Sequence, residues 1–128
     1  MSAGASVVRA FIDAFNAGDL DAVVTTLTDD VEIQTSRGLI EGREEARQWA
    51  TRRPTGELHQ RLILDDLSEH GAHVIAAVRR HWVWRESGKV GDEQRLFYVA
   101  TLRDGLICRW HPFEHRRDAL RAAGVAAE

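Results

Sequence analysis

The chain has 128 residues, of which 29% are charged and 44% hydrophobic, the make-up of an ordinary globular protein. That length supports one domain whose core stands without disulfides or metals. A formal net charge of −3 gives no broad attraction to nucleic acid, and no apolar run reaches membrane-spanning length. Cys108 is the single cysteine, so no internal disulfide can form and a reducing cytoplasm is the expected setting. The opening MSAGAS has neither a basic segment nor an apolar run behind it, so no secretory signal is expected.

In chain order, Ser6 is placed to cap a helix whose apolar positions Val7, Phe11 and Phe15 recur at i, i+4, with Val8 and Ile12 beside them. Asn16-Ala17-Gly18 ends it, and Asp19 caps a shorter helix running through Leu27. Thr28-Asp29-Asp30 turns the chain into a strand over Val31 to Thr35. Gly38 and Gly42 punctuate a loop, and Arg43 to Arg53 reads as a third helix with Ala46, Trp49 and Ala50 inward.

Leu58 to Leu67 is a strand with Leu58, Leu62 and Leu64 on one side and His59, Arg61, Ile63 and Asp65 on the other. Glu69-His70-Gly71 turns it into the long strand Val74 to Glu86, VIAAVRRHWVWRE. Ser87 to Asp92 makes the next hairpin, Gln94 to Arg103 the next strand, and Asp104-Gly105 the tightest turn. Leu106 to Phe113 is the last strand, followed by a short helix from Arg116 to Ala123. Consecutive hairpins behind three helices imply an α+β domain: a curled antiparallel or mixed sheet packed on helices of the N-terminal half. Such a cone keeps a cavity between the sheet and its first helix.

The long strand is the most informative stretch. One parity reads Val74, Ala76, Val78, Arg80, Trp82, Trp84, apolar except for one arginine. A guanidinium on an apolar face needs a partner. It is either held in an internal ion pair, reaches water along a tryptophan face, or waits for a ligand oxygen. Trp110 and Phe97 would complete an aromatic wall around it. Glu114 has the parity of Cys108, Trp110 and Pro112, so an Arg80–Glu114 pair is one structural explanation. His111 and His115 titrate near neutrality in principle, though His111 shares parity with Arg109 and so faces outward. The six histidines show no zinc-like spacing with supporting cysteines, and no metal is expected.

Phe11 to Ala22, FIDAFNAGDLDA, followed by Leu27 to Ile33, LTDDVEI, resembles the start of the nuclear transport factor 2-like superfamily. Asp104 to His115, DGLICRWHPFEH, with ALRAAG behind it, is similar to the SnoaL-like branch. The resemblance implies a cofactor-free protein holding a small, flat, apolar or aromatic, oxygen-bearing molecule, and a homodimer. It leaves open an enzyme (cyclase, isomerase or dehydratase) or a non-catalytic binding or dimerisation module.

Steroid isomerases of this fold carry a tyrosine and two aspartates where this chain has Phe11, Thr35 and the neighbourhood of Val99. Limonene epoxide hydrolases carry Arg-x-Asp and a further aspartate where this chain has Val78-Arg79-Arg80 and Pro112. Neither residue set is present. The late acid/base aspartate of SnoaL-type cyclases has Glu114 and His115 as its nearest counterparts, and His59 falls where related proteins carry a pocket histidine. The expected catalytic set is therefore Arg80, Glu114 and His59. The expected lining is Phe11, Phe15, Thr35, Trp49, Val78, Trp82, Trp84, Phe97, Val99, Cys108, Trp110 and Pro112. Leu96, Tyr98, Ala100 and Leu102 are the expected second apolar side, through which two copies would pair.

Overall fold

The computed structural model describes residues 3–35, 38–51, 58–84 and 86–124, except the side chains at 3, 51, 58 and 59. Helix α1 (Ala3–Ala17) buries Val8, Phe11, Ile12 and Ala14 along one stripe, as its apolar spacing requires. It starts upstream of Ser6, which lies within it, and the Ala5 N–H donates to Glu69 Oε1 at 3.0 Å. The distant carboxylate does the work expected of the local serine. A Cβ on Gly4 would come within 2.7 Å of Leu102 Cδ1, so glycine allows this helix end to sit tight on the sheet.

Asp19 caps α2 (Leu20–Thr25), accepting from the Ala22 N–H at 3.1 Å. The helix stops short of Leu27, which opens strand β1 (Leu27–Thr35) opposite Ile107. A leucine there satisfies a helical stripe and a buried strand alike, and only pairing decides between them. The expected Gly38–Gly42 loop is a short strand, β2 (Gly38–Glu41), paired antiparallel with β1. Four residues between glycines at φ +125° and +90° carry too little alternation to announce a strand.

Helix α3 (Arg43–Thr51) buries Ala46, and its expected continuation to Arg53 lies outside the described residues. Arg43 ties it to β1, donating to the Leu27 carbonyl from Nε at 3.0 Å and from Nη2 at 2.6 Å. Strands β3 (Leu58–His70), β4 (His73–Trp84), β5 (Val90–Arg103) and β6 (Leu106–Phe113) follow as antiparallel neighbours. β6 then lies parallel to β1, giving one mixed sheet in the order β2-β1-β6-β5-β4-β3. Helix α4 (Arg116–Ala122) packs Ala119 against Ile75 and Val99 on the outer face. The domain is α+β, a curled six-stranded sheet closed by the N-terminal helices.

The β4–β5 register corrects one expectation. Val74, Ala76 and Val78 point into the main core, and Ala100, Tyr98 and Leu96 stand directly opposite them. Directly paired residues share a face. Leu96, Tyr98 and Ala100 therefore belong to the interior, with Leu102 packed against it, and form no outer dimer face. Phe97 and Val99 lie on the opposite side, in the cluster beneath α4. β5 is apolar on both parities, so alternation alone cannot choose its inward side.

Cys108 is displaced too. The β5–β6 register slips between Thr101↔Arg109 and Leu102↔Ile107, leaving Cys108 as the extra residue of a bulge. Ile107 and Trp110 both enter the core, although their parities differ, and Cys108 takes no part in it.

β3 is an edge strand, and α1 covers part of that edge through one side chain. Asn16 Nδ2 donates to the Leu62 carbonyl at 2.8 Å, and Asn16 Oδ1 accepts from the Leu62 N–H at 2.8 Å. Both backbone groups of Leu62 are thus satisfied where the ladder ends. Asn16→Ala is expected to cost about 1–3 kcal/mol, because the mutation strands two part-buried peptide groups. Urea unfolding measures this, and a loss indistinguishable from zero would mean water replaces the amide.

Candidate functional site

The inward face of β4 does not end with the core. Beyond Val78 it continues as Arg80 and Trp82, while the helices give way to an open space of about 380 Å3. Its walls are Phe15 of α1, Trp49 of α3, Gln34 and Thr35 of β1, and Gln60 and Leu62 of β3. Arg80 and Trp82 of β4, Gln94, Leu96 and Tyr98 of β5, and Trp110, Pro112, Phe113 and Glu114 of the β6 end complete it.

Of the expected lining, Phe15, Thr35, Trp49, Trp82, Trp110 and Pro112 meet here, together with Arg80 and Glu114. Phe11 and Val78 lie behind the wall, each within the packed core, and Phe11 supports Trp110 at 4.6 Å between ring centroids. Trp84 shares the face but is 43% exposed and crosses Gly91, where a Cβ would come within 2.9 Å of its Nε1. Phe97, Val99 and Cys108 lie away from the cavity, for the reasons of register and bulge given above. The His59 side chain lies outside the described residues, and its backbone pairs with Val83. His111 stacks on Phe113 with 4.4 Å between centroids and does not line the cavity. Burial, reinforced by the charge of Arg109, holds its pKa below the usual histidine value. Among the described residues, no group of three or more His, Cys, Asp or Glu is placed to hold a metal.

Arg80 is the electrostatic centre of the site. Its Nη2 donates to Gln94 Oε1, its carbon Cζ lies 5.4 Å from the Trp82 ring centroid, and its Nε–H is buried without a partner. No described carboxylate comes within 4.0 Å of it, so the anticipated Arg80–Glu114 ion pair does not form. Arg79, one residue earlier, is the contrast: on the outer face it meets Asp65 at 3.0 Å and Glu93 at 3.8 Å. The same strand therefore carries a neutralised arginine outward and a charged one inward.

Sequence reasoning missed Tyr98, Gln94 and the two other amides, Gln34 and Gln60. Tyr98 stacks on Trp110 at 4.6 Å with an interplanar angle of 19° and is 7% exposed. Its register with inward-facing Ala76 was the available signal, had the hairpin been counted residue by residue. Burial raises its pKa, while the charge and hydrogen bonding of Arg80 pull the other way without cancelling the rise. The phenol is thus a neutral hydrogen-bond donor at physiological pH.

Among the described residues, this arrangement is an aromatic chamber with one positive side chain, one neutral phenol, several amides and a single carboxylate at its edge. The fold around it is a cone-shaped α+β one, with the open space lying between sheet and helices. The model of the SnoaL-like domain matches residues 8–110, and the chain belongs to that family. Comparison with curated proteins gives no significant sequence match. A candidate polyketide cyclase from Xanthomonas campestris pv. campestris superposes with a TM-score of 0.75 at 21% identity, covering 94% of this chain and 96% of that one. TerC, co-crystallised with polyporic acid, gives a TM-score of 0.75 at 18% identity over 96% and 99% of the two chains. An NTF2-like protein of unknown function from Burkholderia pseudomallei K96243 gives 0.73 at 21% identity over 94% and 97%. Likeness at these identities establishes the NTF2-like fold.

Tyr98 is the only tyrosine, so the tyrosinate ultraviolet band reports this one group. The neutral phenol is favoured in the folded state, so its contribution is fully present below the ordinary value of 10.0 and is lost as pH rises beyond it. Alkaline titration is expected to show the band appearing above 10.0, accompanied by falling stability. A midpoint at or below that value would place the hydroxyl in water.

Proposed function

We propose that this protein holds a flat, oxygen-bearing, polyketide-like molecule in the aromatic cavity and acts on it without a cofactor, as a cyclase, isomerase or dehydratase. The observation that carries the reading is the arginine without a carboxylate partner on an aromatic wall that also bears Glu114. Aromatic faces from Trp49, Trp82 and Trp110 suit a planar guest, and the guanidinium suits its oxygen. The shared chemical step is removal of a proton from carbon next to a carbonyl. Glu114 accepts that proton, the C–H electron pair becomes the enolate C=C bond, the carbonyl π pair moves onto oxygen, and Arg80 and Tyr98 stabilise the resulting oxyanion by donated hydrogen bonds. Return of the proton from Glu114 to another carbon completes isomerisation. Attack of the carbanion on a second carbonyl, whose alkoxide takes that proton, completes ring closure. Departure of a β-hydroxyl with that proton, as water, completes dehydration. The candidate polyketide cyclase among the structural neighbours and the ligand of TerC support a small-molecule role of this kind.

A second reading, sequestration without turnover, is favoured by the solvent exposure of Glu114, since a general base works best shielded from water. Glu114→Gln separates the two. Turnover of the copurifying molecule, once mass spectrometry has identified it, is expected to fall about 10²–10⁴-fold with binding retained. An unaltered rate favours sequestration.

Arg80→Met is expected to leave the melting temperature unchanged or higher, since the variant removes a buried, unsatisfied N–H, and to abolish ligand retention in native mass spectrometry. A strong loss of stability with the ligand still bound would make Arg80 a structural residue. The proposal also includes a homodimer in the cytoplasm, a reducing setting that suits the lone Cys108. Pairing would run through the outer sheet face, where Ala77 and Phe97 floor a groove edged by Asp65, Arg79, Glu93 and Arg95. Sedimentation is expected to give twice the chain mass, and Phe97→Glu to give the monomer; a wild-type monomer at micromolar concentration rules the dimer out.

A further inference from the structure

Gln94 stands directly across the β4–β5 ladder from Arg80 and accepts from its Nη2 through Oε1. Nη2–H and Nε–H form one edge of the guanidinium, two parallel donors that suit a carboxylate. An amide has a single acceptor oxygen, and its other terminal atom is itself a donor. The consequence is visible: Nη2 is satisfied, while Nε–H is buried with no partner. A glutamate of nearly the same shape would supply both acceptors and cancel the charge. The sheet does this elsewhere, where Asp65 meets the same edge of Arg79, Oδ2 accepting from Nε at 3.0 Å and Oδ1 lying 3.0 Å from Nη2. A neutral residue at position 94 therefore keeps Arg80 oriented but charged.

We propose that Gln94 is a specificity-determining residue that keeps the cavity selective for molecules carrying a full negative charge when bound, such as a carboxylate, a phenolate or an enolate. This rests on the reading of the cavity as a small-molecule receptor and names the charge state of its guest. The neutral Tyr98 phenol adds a donor and no competing negative charge. Among the described residues Glu114 is the only carboxylate on the wall, and it makes no ion pair with Arg80. A neutral planar guest would leave the guanidinium in an aromatic setting without a counter-charge, so discrimination arises from what that guest fails to supply.

The test uses two flat probes of matched shape, 2-naphthoate and 2-naphthamide, titrated calorimetrically into the wild-type protein and its variants. Wild type is expected to bind the anion about tenfold or more tighter than the amide. Gln94→Glu is expected to lose that preference while keeping its affinity for the amide, and to melt at or above the wild-type temperature because Nε–H gains a partner. Gln94→Met leaves Arg80 charged and is expected to keep the preference, which a purely structural role for the amide would not allow. Equal affinity for both probes in wild type, with no change in Gln94→Glu, overturns the inference and leaves the cavity a receptor. A lower melting temperature for Gln94→Glu overturns the proposed bidentate geometry. Binding of neither probe overturns the receptor reading, and this inference with it.

Discussion

The site depends on a constraint of strand geometry: residues two apart on β4 must share a face. Val74, Ala76 and Val78 are committed to the core, so Arg80 and Trp82 must point the same way whether or not apolar packing continues around them. Apolar packing stops there, where the open space between Phe15, Trp49 and the sheet begins. A guanidinium that would be intolerable one turn of the pleat earlier finds room, an indole face and an amide. The cavity is therefore a continuation of the core, with its inward direction set by the buried residues before it.

The electrostatic character of the chamber comes from what its elements withhold. Arg79 and Arg80 are adjacent in sequence and opposite in fate. The outer one gains Asp65 and Glu93, and the inner one gains Gln94, Tyr98 and Trp82. Surface pairs such as Arg79–Asp65 contribute little net stability, since water competes for both partners. Inside the cavity the balance differs, because a less hydrated charge interacts more strongly with whatever enters. An incompletely satisfied arginine is a local cost that the rest of the fold tolerates, and binding an anion would relieve it.

Several devices hold this chamber open. Asn16 closes the exposed edge of β3 at Leu62, which faces Arg80 across the ladder. Arg43 anchors α3, and with it Trp49, to the first residue of β1. The bulge at Cys108 lets Ile107 fill the core and Trp110 reach the cavity from one strand. Each is a polar or irregular feature whose effect is to aim an apolar side chain.

The residues themselves determined the α+β architecture, the helix cap at Asp19, the hairpin succession and the inward parity of β4, because each rests on local periodicity or turn chemistry. That parity was enough to single out Arg80 and Trp82. Tertiary structure alone decided the rest. β5 is apolar on both sides, so only its pairing with β4 turned Tyr98 inward and Phe97 and Val99 outward. Cys108 lost its place to a bulge that no alternation encodes, and Trp84 fell outside the chamber, exposed against Gly91. Gln94 had no signal in sequence at all: a glutamine on a strand is ordinary until the ladder sets it against an arginine. Periodicity records which residues share a side of one strand, whereas a site is made by which strands face each other and where their packing ends.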